Sequence, residues 1–127
     1  METMLGYCTI GSNDLEGTGK FYDGIAAILG TGRAYEGERF IMWGKPGQGA
    51  MLGIIKPYDG KPATVGNGNM FGLYAPSEEL VNQVHEYALA NGGSDEGAPG
   101  PRGDSFYAAY FRDPEGNKLI VFKTPAA

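Results

Sequence analysis

A chain of 127 residues holds one ordinary domain and excludes a multidomain enzyme. Its 42% hydrophobic and 12% aromatic content argues for a packed core despite 22 glycines and eight prolines, which read as turns, and a single Cys8 excludes a disulfide framework. The formal charge of −5 repels phosphate backbones, so nucleic acid is not an expected partner and a cationic ligand would be favoured at long range.

Met1 to Ile10 lacks the basic start and apolar run of a signal peptide, and no stretch approaches the roughly 18 apolar residues of a membrane span. The expected location is cytoplasmic, with no membrane partner. A lone thiol agrees with a reducing compartment.

In chain order, Tyr7 to Ile10 alternates as a strand, with Cys8 and Ile10 on one side and Tyr7 and Thr9 on the other. Asn13 or Asp14 then caps a helix whose stripe is Phe21, Ile25, Ile28 and Leu29, and Gly30 stops it. Strands follow at Arg33 to Tyr35, Arg39 to Trp43 and Met51 to Lys56, the last two separated by the turn Lys45-Pro46-Gly47-Gln48-Gly49. The same layout then recurs: Met70 to Gly93 lies on Tyr7 to Gly30 at a constant offset of 63 residues, without a gap. In this second copy Phe71 and Leu73 oppose Met70 and Gly72, Ser77 caps a helix bearing Leu80, Val81, Val84 and Ala88, and Gly92-Gly93 ends it. A short piece near Ser94, then Ser105 to Phe111 and Lys118 to Lys123 complete the strands, with the turn Asp113-Pro114-Glu115-Gly116-Asn117 before the last. The order is βαβββ twice, with modules at about residues 1–58 and 66–125.

These residues resemble the vicinal oxygen chelate superfamily, the glyoxalase, bleomycin resistance protein and extradiol dioxygenase fold. The likeness rests on Thr9 to Leu15, Phe21-Tyr22-Asp23, Ala75-Pro76-Ser77 and, most specifically, Tyr110-Phe-Arg-Asp-Pro-Glu-Gly-Asn-Lys-Leu119. It implies an α+β fold of paired βαβββ modules whose strands curl into a cup-shaped mixed sheet, with helices outside and the site within. It also implies a homodimer. In metal-dependent relatives the cup holds a divalent cation on His or Gln from the first strand, Glu from the fourth, His from the fifth and Glu from the last. The matching places here are Tyr7, Gly53, Met70 and Ile120. A neutral phenol, a thioether and two positions without donors are not a ligand set for a hard or borderline cation, so no metal and no other cofactor is expected.

The resemblance therefore points to a metal-free protein that binds a small apolar or aromatic molecule, cationic ones included, as bleomycin resistance proteins do. The expected ligand-binding residues are Tyr7, Thr9, Trp43, Gly53, Tyr58, Met70, Ile120 and Phe122; Tyr35, Tyr107 and Tyr110 also lie on segments that would edge the cup. Two other readings stay open: a glyoxalase-like or lyase-type enzyme with Tyr7 as general acid, and a dimeric scaffold with an empty apolar cup. His85, the only histidine, falls within the second helix and reads as a surface or packing residue. Gly17-Thr18-Gly19-Lys20 fails the phosphate-loop pattern at Asp14 and Phe21, and Gly17/Gly19, Gly30/Gly32 and Gly66/Gly68 each lack the third glycine of a dinucleotide fingerprint. Arg102-Gly103-Asp104 reads as a chance match to an adhesion tripeptide, and alternation turns Cys8 towards the helices as a packing residue.

Overall fold

Asp14 begins the first helix because its carboxylate accepts the amide proton of Gly17 at 3.0 Å, satisfying one of the donors that a helix start leaves unpaired. The computed structural model describes residues 4–104 and 106–125. It divides into two units, one ending at Val65 and the other starting at Gly66.

In the first unit β1 (Tyr7–Gly11) is followed by α1 (Leu15–Ile28), β2 (Arg33–Glu36), β3 (Phe40–Trp43) and β4 (Met51–Ile55). The sheet order is β1-β4-β3-β2, with β1 parallel to β4 and the other pairs antiparallel. The second unit repeats this with β5 (Phe71–Tyr74), α2 (Glu78–Ala90), β6 (Ser94–Arg102), β7 (Phe106–Arg112) and β8 (Lys118–Lys123), in the order β5-β8-β7-β6. The chain is thus two βαβββ modules of α+β class. Ser77 caps α2 through the Leu80 amide at 3.2 Å, matching the role of Asp14 at the 63-residue offset. Asn13 does not cap α1; it clasps Ala63, accepting from its amide and donating to its carbonyl.

Each helix packs on one face of its own sheet. In the first module Ile10, Ile41, Trp43 and Ile54 share that face by register and are buried with Phe21, Tyr22 and Ile25 of α1. In the second, Ala109, Phe111, Leu119 and Val121 are buried with Val81, Val84 and Ala88. Cys8 pairs with Leu52 and so turns to the helix face of its sheet, as its alternation predicts.

The piece near Ser94 is in fact a nine-residue strand, β6, rich in glycine and proline. It stands at the edge of its sheet, where a residue without an N–H leaves no ladder bond broken, and its pairing with β7 shifts register between Asp95 and Gly97 and again between Gly97 and Gly100.

The turn that ends β7 is built around one carboxylate. Asp113 Oδ1 accepts from the amides of Glu115 (2.9 Å) and Asn117 (3.0 Å), and Oδ2 accepts from Asn117 Nδ2 (2.9 Å). Gly116 takes φ 96°, a left-handed value that a side chain would strain. The most diagnostic string of the sequence is thus a fold determinant that sets the register of β7 against β8.

Candidate functional site

One tether in each module holds its helix to its sheet. In the first module Asp23 of α1 accepts from Arg33 Nε and Nη2, both at 2.8 Å, and from Trp43 Nε1 at 2.8 Å. Arg33 holds the Asp23 carboxyl below the usual carboxylate range, with Trp43 adding to the effect and partial burial opposing it. In the second, His85 of α2 is 6% exposed and its Nε2 lies 3.0 Å from Asp95 Oδ1 on β6. The Gly97 amide and then His85 depress the Asp95 carboxyl in turn. His85 therefore ties helix to sheet, as a packing residue would.

The face of each sheet away from its helix, the far face, carries most of the expected site residues. On the first module, Tyr7 and Thr9 lie there beside Met51 and Gly53, with Met42 opposite Gly53. A β-carbon on Gly53 already lies 3.0 Å from Met42 Cγ and 3.4 Å from Thr9 Cγ2, so a longer side chain at this place meets occupied space. Tyr7 is 60% exposed, and its hydroxyl has no hydrogen-bond partner among the described residues to activate it as an acid. On the second module Ile120 pairs with Gly72 and Phe122 with Tyr74. Alternation carried one residue back from β5 places Met70, 45% exposed, on the same side. Phe122 packs edge-on against both Tyr74 (centroids 6.1 Å) and Phe106 (6.3 Å).

Two expected residues are not part of these groups. Trp43 pairs with Leu52, the residue whose parity opposes Gly53, so it faces α1, 5% exposed, against the Tyr22 ring at 5.4 Å. Tyr58 sits on the turn closed by Pro57 and Gly60, 93% exposed, with Arg39 stacked at 5.3 Å. Of the further aromatics, Tyr107 also faces its helix, donating to Asn82 at 2.7 Å, whereas Tyr35 and Tyr110 share the far faces by register.

A family model described as Glyoxalase/Bleomycin resistance protein/Dioxygenase superfamily matches residues 4–121. The chain belongs to this superfamily. A glyoxalase/bleomycin resistance protein from Albidiferax ferrireducens T118 is 39% identical, with a TM-score of 0.89 over 97% of this chain and 100% of that one. Lower likeness extends the fold alone to a glyoxalase-related enzyme from Fulvimarina pelagi (20% identity, TM-score 0.74, 98% and 90% covered). It also extends to a lactoylglutathione lyase from Agrobacterium tumefaciens (21%, 0.67, 97% and 95%). No curated protein matches the chain.

Members of the superfamily that use a divalent metal take it on four strand positions, and the donor chemistry at the matching places of this member does not fit one. Tyr7 and Gly53 share the far face of the first sheet, and Met70 and Ile120 that of the second, but none offers a carboxylate or imidazole. Among the described residues no three His, Cys, Asp or Glu side chains gather into a group that could take the ion elsewhere.

The far face of the second module also carries residues that motif reading passes over. Arg102 Cζ and Lys118 Nζ lie 5.3 and 5.7 Å from the centroid of the same ring, Tyr110. Lys118 lies inside the family string and Arg102 inside the adhesion-like tripeptide; only the pairing of β6, β7 and β8 brings them together.

Proposed function

We propose that this superfamily member is a metal-independent, cytoplasmic small-molecule-binding protein that takes an apolar or aromatic compound on the far face of a sheet. The observation that carries the reading is the donor-poor quartet Tyr7, Gly53, Met70 and Ile120. A polar substrate that needs a cation to polarise its oxygens finds no counterpart there, whereas an apolar ring gains about 25 cal/mol per Å² of apolar surface buried, before the costs of association. Tyr7, Met70, Tyr74 and Phe122 leave enough surface exposed or half-buried for such contact. The unactivated hydroxyl of Tyr7 supports a binding role for that residue over an acid one.

A thermal-shift screen of planar aromatic compounds tests this, run on protein dialysed against chelator and again with zinc, nickel or manganese added. Compounds should raise the melting temperature equally with and without metal. Met70→Glu should weaken the best of them at least tenfold, because the new carboxylate must lose water under an apolar ligand. A screen without hits, a shift that requires metal, or an unaffected Met70→Glu variant overturns the proposal.

The reading includes a symmetric homodimer, on the family likeness alone. Light scattering at micromolar concentration should return twice the chain mass. A single-chain mass contradicts it.

A further inference from the structure

We propose that the ligand of this face is an aromatic carboxylate, with its ring against Phe122 and Tyr74 and its carboxylate beside Tyr110, within reach of Arg102 and Lys118. This rests on the small-molecule reading above and adds the chemical class.

Two positive charges on this face have no carboxylate of their own. Arg112, on the same far face, is neutralised by Glu96 at 3.1 Å. Arg102 and Lys118 form no ion pair among the described residues, yet both lean on Tyr110. Like charges drawn to one ring repel, and the ring offsets only part of that where water has access. They flank Tyr110 from β6 and β8, and an anion within reach of both offsets the repulsion.

Arg102 is held ready for such a partner. Its strand passes through Gly97 and Gly100, and the guanidinium lies back over them: β-carbons there would come 3.4 Å from Nη2 and Nη1 respectively. Nη1 donates to the carbonyls of Gly100 (3.0 Å) and Pro101 (3.3 Å), and Nη2 to that of Ala98 (2.7 Å). This fixes the group while leaving Nε–H and one Nη2–H over, donors suited to a carboxylate. Carbonyl oxygens do not cancel the charge. The Lys118 ammonium has no hydrogen bond among the described residues, and the Tyr110 hydroxyl is likewise a spare donor.

The spacing suits a compact aromatic acid. Tyr74 and Phe122 form one row across β5 and β8, and Ile120 and Tyr110 the next row, across β8 and β7. Rows on one face of a sheet are about 7 Å apart, two residues along a strand, a span that a two-ring acid approaches from its distal ring to its carboxylate oxygens and a one-ring acid does not. The charge of the whole chain, −5, would suggest a cation. At this face the uncompensated groups are both positive, and contact distance governs affinity more than the screened field of the molecule does.

Titration calorimetry of the full chain with 2-naphthoate, 2-naphthamide and 2-naphthylmethylamine separates ring from charge. The carboxylate should bind about tenfold or more tighter than the amide and tighter still than the amine, with an advantage that falls as salt is raised. Lys118→Gln should remove most of that advantage and leave the amide unchanged, while Lys118→Arg keeps it. Arg102→Gln should act likewise, although its carbonyl contacts on β6 make Lys118→Gln the cleaner variant. Equal binding of the three probes, tighter binding of the amine, or an unchanged Lys118→Gln variant overturns the carboxylate assignment and leaves small-molecule binding standing. If none of the three binds while other aromatics raise the melting temperature, the assignment also falls. If no aromatic compound binds at all, the small-molecule reading falls with it.

Discussion

Asp113→Ala should lower the stability of the chain by about 3 kcal/mol, more than removal of any single exposed charge. The side chain is buried at the start of the β7–β8 turn, and its two oxygens accept the amides of Glu115 and Asn117 and the Nδ2 of Asn117. Alanine leaves those three donors facing a methyl group. An unsatisfied buried donor costs about 1–3 kcal/mol, but the Glu115 amide can turn to water, so the losses do not add in full. The backbone bonds from Asp113 N to Asn117 O (2.8 Å) and from Gly116 N to Asp113 O (3.0 Å) remain and keep a turn of some kind. Asp113→Asn should cost less, about 1–2 kcal/mol, since its carbonyl oxygen still serves the two amides while its NH₂ now faces the donor of Asn117. Urea unfolding should rank wild type above Asp113→Asn and Asp113→Ala last. Equal midpoints for wild type and alanine would show that water replaces the carboxylate without loss. Register follows from the same turn: a slip of one residue between β7 and β8 would carry Ile120 and Phe122 to the other face and part Lys118 from Tyr110. The alanine variant should therefore lose ligand binding along with stability.

How much of this is legible before the fold is known depends on whether a residue's surroundings are local. The strand of Tyr7 to Ile10, both helices and their caps, and the 63-residue repeat follow from alternation, helical spacing and short-range hydrogen bonding, all of which act within a few residues. Strand β6 does not announce itself, because Ser94–Arg102 carries the composition of a loop and is a strand only by virtue of the edge it completes. Trp43 shows the limit for the site. Its residue type suits a ligand wall and its strand is legible in the sequence, but which face it takes is decided by pairing with Leu52, one residue away from the parity of Gly53. Arg102 and Lys118 are sixteen residues apart and meet over Tyr110 through two strand pairings. No spacing rule connects them. The second module's far face was readable as apolar from Met70, Ile120 and Phe122, while its charge required the register of three strands.

Asp23 offers a test in which pH and mutation must agree. Its carboxylate joins α1 to the sheet through both Arg33 contacts and the indole of Trp43, whose ring is buried beside Tyr22. Asp23→Ala strands the indole N–H in a nearly closed site and leaves Arg33 with Glu36, 2.9 Å away and well exposed, as its one carboxylate, so a loss of about 2 kcal/mol is expected. For a chain of this length that corresponds to roughly 5–8 °C in melting temperature. Asp23→Asn keeps an oxygen for the indole but gives up the charge, and should fall between the two. The pH dependence has a definite sign. Arg33 and Trp43 lower the folded-state pKa of Asp23 below the ordinary 3.8, so the fold binds this proton less readily than the unfolded chain does. The resulting stability is fully present above the unfolded pKa and is lost as pH falls from about 3.8 through the lower folded value. The advantage of wild type over Asp23→Asn should accordingly be constant near neutrality and shrink only on acidification below that point. Because Trp43 is the one tryptophan, its fluorescence reports the site directly, and Asp23→Ala should shift its emission before the global transition. A wild-type advantage that persists unchanged at pH 2 would mean that packing of the Asp23 side chain, and not its charge, secures the helix.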